Sequence, residues 1–123
     1  MATIEAFKNT FIEGSEAQRI GLKLRNIITT YFTNIDETIA GGAKVKLTLY
    51  SRNGPSNVLC GIQQAANDTC MLYVHHVPSI DHDRLKFSGK GKHAKRIKFE
   101  KATDVLETDI KWLLKQVNEN APY

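Results

Sequence analysis

Several features that define large classes of protein are missing from this sequence of 123 residues. No apolar run approaches the roughly 20 residues that a membrane-spanning helix needs. Met1–Thr10 has no apolar stretch of the kind found in signal peptides. Cysteine occurs twice, as Cys60 and Cys70, without a C-x-x-C pair. We therefore expect a cytoplasmic protein with no membrane partner and with two buried, free thiols.

Sequence motifs of established catalytic or nucleotide-binding chemistry are also absent. Gly89–Gly91 fits neither G-x-x-x-x-G-K-[ST] nor G-x-G-x-x-G, since Ala94 stands at the third glycine position of the latter. Ser51, Ser56 and Ser88 lie outside the context of a nucleophile elbow. We predict a protein without enzymatic activity and without a cofactor.

Positive charge, by contrast, is concentrated in one stretch. Eight lysines and arginines and one acid lie between Arg84 and Lys101, which gives this stretch a net charge of +7 in a chain of +4. Glycines inside it let the backbone approach an oxyanion closely, and an arginine can bond a phosphate or carboxylate through two parallel donors. The predicted anion site consists of Ser88, Gly89, Lys90, Gly91, Lys92 and Arg96. The alternative is a solvated loop whose lysines improve solubility.

The chain is predicted to form one domain over residues 1–123, with a short helix in an extension at 1–14 and a core at 15–118. Ser15-x-x-Gln18 is a capping-box pattern that opens a long helix. Arg25 of that helix is predicted to face water, and Thr103 to cap the last helix. The buried stripe of the first long helix is predicted to comprise Ile20, Leu24, Ile27, Ile28, Tyr31 and Phe32.

Between the helices, alternating apolar residues predict an antiparallel sheet of about five strands. We expect strands at 44–50, 58–63, 70–77 and 95–99, with 85–87 as a short strand or part of a loop, and a loop at 36–42. In the first strand, alternation predicts that Leu47 and Leu49 face the core and that Tyr50 faces outward. The predicted fold class is α+β, a two-layer sandwich with the N- and C-terminal helices packed on one face of the sheet.

The pattern Leu85-x-x-Ser88-Gly89-Lys90-Gly91-Lys92, then Ile97-Lys98-Phe99, then Asp104 before a helix, resembles the C-terminal signature of the YdhG-like family. The resemblance covers the C-terminal third and implies a small bacterial domain with a frataxin-like α/β sandwich. The family usually shows a Trp and a Pro-containing turn after an acidic pair. Here Asp36–Ile39 leads instead to Ala40-Gly41-Gly42.

Some relatives in that family are regarded as frataxin-like iron chaperones, so a metal chaperone is one alternative function. Frataxins rely on an acidic ridge at the first helix, where this chain has Arg19, Lys23 and Arg25. No iron ligands are therefore carried over. Adjacent strand residues face opposite sides, so His75 and His76 cannot share an ion, and we predict no tight metal site. The remaining candidate ligands in that stretch are Asp81, His82 and Asp83.

A second alternative is single-stranded nucleic acid, since bases stack on aromatic rings beside basic residues. The outward face of the sheet would supply Lys44, Lys46, Tyr50, Tyr73, Arg96 and Lys98. The leading prediction is a non-enzymatic binding module for a small anionic or phosphorylated ligand at the glycine- and lysine-rich loop.

Overall fold

The computed structural model describes residues 3–41, 46–77, 82–88 and 94–123. The elements are α1 (Ile4–Lys8), α2 (Glu16–Tyr31), β1 (Asp36–Gly41), β2 (Lys46–Ser51), β3 (Val58–Ala65), β4 (Thr69–His75), β5 (Ala94–Phe99), a 3-10 turn (Ala102–Asp104) and α3 (Glu107–Asn120). The five strands form one antiparallel sheet in sequence order. The helices α2 and α3 cover one face, which confirms the predicted two-layer α+β sandwich. Within the described ranges, none of the helices has the length and hydrophobicity to cross a bilayer.

The N-terminus of α2 is fixed by its own capping residues and by contacts with two other parts of the chain. Ser15 Oγ accepts a hydrogen bond from the Gln18 N–H at 3.1 Å, as the capping-box pattern predicts. The Gln18 side chain does not close the box on Ser15, because its Oε1 accepts from the Gly14 N–H at 3.0 Å. Its Nε2 donates to the Lys8 carbonyl at 3.2 Å. Asp68, in the turn between β3 and β4, accepts from the Ala17 N–H at 3.0 Å. Both α1 and this turn are thus attached to the start of α2.

The hydrophobic core lies between α2, α3 and the inner face of the sheet. Residues at helical spacing on α2 and at alternating positions on β3, β4 and β5 share it, as the sequence predicts. Its fully or almost fully buried members include Ile20, Leu24, Ile28, Cys60, Ile62, Cys70, Leu72, Val74, Ile97, Ile110, Leu113, Leu114 and Val117. Cys60 and Cys70 are free thiols inside it, which confirms that part of the prediction.

The facing of β2 is opposite to the prediction. Tyr50 and Thr48 are fully buried on the inner face, whereas Leu47 and Leu49 are half-buried on the face without helices. The predicted alternation of β2 is confirmed. Alternation alone does not determine which of two partly apolar faces turns inward. The buried carboxylate of Glu37 decides it, because the Tyr50 hydroxyl donates to Glu37 Oε2 at 2.6 Å.

Two element assignments are also corrected. The segment 36–41, predicted as a loop, is β1, because its backbone pairs with β2 along its whole length. The fifth strand is therefore β1, and 85–87, predicted as a short strand or part of a loop, is not a strand. Thr103 lies in the 3-10 turn, and α3 begins at Glu107, after an N-cap at Leu106 that makes no side-chain capping bond.

Replacing Thr48 with Val tests the corrected facing of β2. The Thr48 hydroxyl is buried with no hydrogen-bond partner among the described residues. Burial of an unpaired hydroxyl costs about 1–3 kcal/mol in proteins. Thr48→Val should therefore raise the free energy of unfolding, measured by urea denaturation, by about 1 kcal/mol or more. The matched control, Thr38→Val on the exposed side of β1, should change it by less than about 0.5 kcal/mol. An equally small effect at Thr48 would contradict the inward facing.

Candidate anion-binding site

Two residues of the predicted anion site, Ser88 and Arg96, lie opposite each other on adjacent chain segments. The Ser88 N–H donates to the Arg96 carbonyl and the Arg96 N–H to the Ser88 carbonyl, each at 2.9 Å. Arg96 Nε also donates to Ser88 Oγ at 3.3 Å. The other four predicted residues, Gly89, Lys90, Gly91 and Lys92, lie outside the described residues. Ser88 and Arg96 thus form a paired base, with the glycine- and lysine-rich sequence 89–93 between them in the chain.

A cleft opens below this base, between the segment 82–88 and the outer edge of β5. Ser88–Arg96 is an isolated bridge, and no backbone hydrogen bond joins Lys86 to Lys98, the next opposed positions in the described chain. The two segments separate there around a volume of about 380 Å³. Arg84, Lys86 and Lys98 bring positive charge to its lining, and Glu100 and Asp104 bring negative charge.

Arg84 is paired with Asp109 on α3, although 60% of the Arg84 side chain is exposed. Its Nε lies 2.8 Å from Asp109 Oδ2, and Asp109 is only 3% exposed. The Arg84 guanidinium therefore lowers the pKa of the Asp109 carboxyl, and that carboxylate raises the pKa of Arg84. His82 Nδ1 accepts from the Arg84 N–H at 3.1 Å, and the His82 ring contacts Trp112. This cluster attaches the start of the segment 82–88 to α3.

Lys86 and Lys98 are exposed, as Arg84 is, but unlike Arg84 neither has an ion-pair or hydrogen-bond partner in the described part of the chain. They line the same cleft from opposite sides. Sequence reasoning placed both in the basic stretch but did not select them for the site. Only the structure distinguishes these two lysines from Arg84, because it shows which cation pairs with the carboxylate of Asp109.

The histidines and carboxylates considered as metal ligands mostly make structural contacts. Among the described residues, no group of three or more His, Cys, Asp and Glu side chains could hold a metal ion. Asp81 lies outside those residues. His76 Nε2 lies 2.6 Å from the Tyr123 hydroxyl, which itself donates to the Val58 carbonyl at 2.8 Å. His76 therefore donates to this hydroxyl and holds the C-terminal segment.

The proposed nucleic-acid platform loses one of its two aromatic rings. Tyr50, predicted to face outward, is completely buried, and burial, followed by the contact with Glu37, raises its pKa. Tyr73 remains half-exposed on the open face, with its hydroxyl donating to Gln63 Oε1 at 2.8 Å. Lys44 lies outside the described residues. One ring beside Arg96 is a poor stacking surface for successive bases.

A buried ion pair that the sequence did not predict lies at the other end of the sheet. Arg25, expected to face water, directs Nε to Glu37 Oε2 at 2.8 Å and Nη2 to Glu37 Oε1 at 3.0 Å. The Glu37 side chain is completely buried and that of Arg25 is 15% exposed. The hydrogen bond to Glu37 raises the pKa of Arg25. Glu37, the second residue of the acidic pair Asp36-Glu37, therefore lies in the core, where it has a structural role.

The two thiols are unsuited to nucleophilic catalysis. Burial raises the pKa of Cys60 and of Cys70 to about 12. Both therefore stay protonated near neutral pH, whereas the thiolate is the reactive form.

No protein-family model matches the chain, and neither a curated protein nor a solved structure is detectably similar to it. Assignment of a function therefore depends on the chemistry of the cleft itself.

Glu37→Gln should destabilise the fold strongly. It would leave the mostly buried charge of Arg25 without a counter-ion, and breaking a buried pair costs about 3–5 kcal/mol. We expect a loss near the lower end of that range in the free energy of unfolding, measured by urea denaturation. The control is Glu107→Gln, since Glu107 pairs with Lys111 at 3.4 Å on the exposed surface of α3, where such pairs contribute at most about 1 kcal/mol. Similar effects of the two substitutions would contradict a buried ion pair.

The Asp109–Arg84 pair predicts a specific dependence of stability on pH. The pKa of Asp109 is lowered in the folded protein, whereas an aspartate in the unfolded chain titrates near about 3.9. Its contribution is therefore present above about pH 4 and is lost as the pH falls through the folded pKa. The difference in unfolding free energy between the native protein and Asp109→Asn should narrow from neutral pH to about pH 3. Arg84→Gln should show the same narrowing. A constant difference in both would refute the pair.

Proposed function

We propose that this protein is a non-enzymatic module that binds a small anionic or phosphorylated ligand between Lys86 and Lys98. The observation that carries the proposal is that both side chains are exposed, lack partners among the described residues and line one cleft. Two cations converging on one oxyanion form charge-assisted bonds, which are about twice as strong as neutral ones. Membership of the YdhG-like family and a cytoplasmic location belong to the same proposal.

The surroundings of the cleft support a small ligand. Its volume of about 380 Å³ lies near the lower end of the roughly 300–1,000 Å³ of ligand pockets. Arg96 stands two residues before Lys98 on the same strand, and Lys90 and Lys92 follow Ser88 in the chain. The stretch from Arg84 to Lys101 has a net charge of +7, so an anion near it is attracted over a distance of about 10 Å at moderate salt.

The carboxylates in the lining make one end of the cleft negatively charged. Glu100 and Asp104 lie on the side of the cleft that leads to the 3-10 turn. Like charges there disfavour a second anionic group. We therefore assign the anionic end of the ligand to the side of Lys86 and Lys98, next to Ser88.

A titration with inorganic phosphate at low salt, followed by amide NMR, tests this proposal. We expect saturable shifts at Lys86, Ser88 and Lys98. Lys86→Ala and Lys98→Ala should each weaken the affinity by roughly tenfold, since a hydrogen bond to a charged group contributes about 1.5–3 kcal/mol. Lys46→Ala and Lys115→Ala are the controls, because both side chains are exposed away from the cleft.

Equal weakening by all four substitutions would mean that phosphate responds to net charge alone. That result, or shifts that do not saturate, would contradict a site between Lys86 and Lys98.

A further inference from the structure

The outer edge of β5 presents backbone groups to the cleft that no described residue pairs. In an antiparallel ladder, successive residues direct their N–H and C=O groups to alternate sides. Arg96 directs both groups to Ser88, away from β4. Ile97 and Phe99, which pair with β4 at Leu72 and Cys70, direct theirs to β4. Lys98 therefore directs its N–H and C=O outward, as Arg96 does.

Nothing in the described chain pairs with these groups of Lys98. The segment 82–88 bonds β5 at Ser88 and then separates from it, so that its Lys86 lines the far side of the cleft. An unpaired N–H and C=O on a sheet edge form a template for another strand. Within the described ranges, this position of the β5 edge is open.

The side chains around this edge select among possible strands. A lysine on an open edge ordinarily prevents pairing with another strand, because pairing would desolvate its charge. A strand with an acidic side chain at that position removes this cost and gains a charge-assisted bond. If the β5 edges of two copies of this chain paired, their lysines would repel each other. This repulsion disfavours a second copy as the occupant.

The rest of the lining adds apolar contacts. Leu106, at the start of α3, is 43% exposed although it is a large hydrophobic residue, and it lines the cleft with Ile97 and Phe99. Glu100 and Asp104 on the same side disfavour a second acid there. A fitting segment therefore has an acidic residue near Lys86 and Lys98 and an apolar residue near Leu106.

We propose that the edge of β5 at Lys98 binds an extended acidic peptide segment of a partner protein as an added strand. Main-chain bonds to Lys98 supply part of the affinity, and the lysines with Leu106 supply the selectivity, as in other cases of strand addition. This inference rests on the proposed anion binding, since the acidic side chain of the peptide takes the place of the small anion.

The test compares inorganic phosphate with end-capped peptides of about six residues, a typical strand length. One peptide alternates Glu with Val, and its control alternates Lys with Val. Two further versions of the acidic peptide are N-methylated on alternate amides, in the two possible registers. Binding to the whole chain is measured by calorimetry, and the Lys98 amide is followed by NMR.

We expect the Glu/Val peptide to bind and the Lys/Val peptide not to bind. N-methylation in one register should weaken binding by roughly tenfold or more, as expected when a hydrogen bond of about 1.4 kcal/mol is lost. The other register should have a smaller effect. Lys98→Pro should weaken peptide binding further than Lys98→Ala, since proline removes the outward N–H and is tolerated where that group faces solvent.

Four results would overturn the inference. If phosphate binds and the acidic peptide does not, the site takes small anions and the proposed function stands without strand addition. If both N-methylated peptides bind like the parent, the contact is between charges alone. A dimer of the free protein that Lys98→Pro abolishes would make a second copy the occupant. If neither phosphate nor peptide binds, the proposed function fails as well. Because the peptide variants leave the protein unchanged, misfolding of Lys98→Pro would not affect the outcomes measured with phosphate and the peptides.

Discussion

One buried carboxylate, that of Glu37, ties the first two strands of the sheet to their helix. It accepts two hydrogen bonds from Arg25 and one from Tyr50. Because the side-chain period of a strand is two, a one-residue slip of β1 would turn Glu37 to the open face. Arg25 and the Tyr50 hydroxyl would then be buried without an acceptor, at a cost of several kcal/mol. The same constraint leaves Leu47 on the face without helices.

The helices cover the inner face of the sheet. At the edge of β5, backbone groups and lysine side chains that have no partner among the described residues lie close together. Asp109 holds Arg84 on one side, and Ser88 bonds Arg96 on the other. Between these two attachments the segment 82–88 stays beside β5 without forming a strand. Arg84 and Arg96 are thereby paired. Lys86 and Lys98 line the cleft without a partner among the described residues, and this difference gives the cleft its chemistry.

The sequence predicted the elements whose apolar residues leave no doubt about their buried face, namely α2, β3, β4 and β5. It failed for β1, because Asp36–Gly41 has weak strand propensity. It also failed for the facing of β2, because the inward position of Tyr50 depends on Glu37, a partner 13 residues away. For the site, Ser88 and Arg96 were predicted and are adjacent, while Gly89–Lys92 lie outside the described residues. Lys86 and Lys98 could not be chosen beforehand, since local sequence does not reveal which arginine pairs with Asp109.

Amide hydrogen exchange along β5 tests the open edge most directly. In the free protein the amides of Ile97 and Phe99, which are bonded to β4, should exchange far more slowly than that of Lys98. Adding the acidic peptide should slow exchange at Lys98 and leave its two neighbours nearly unchanged. Equal protection of all three amides in the free protein, or an unchanged Lys98 with peptide bound, would contradict the account.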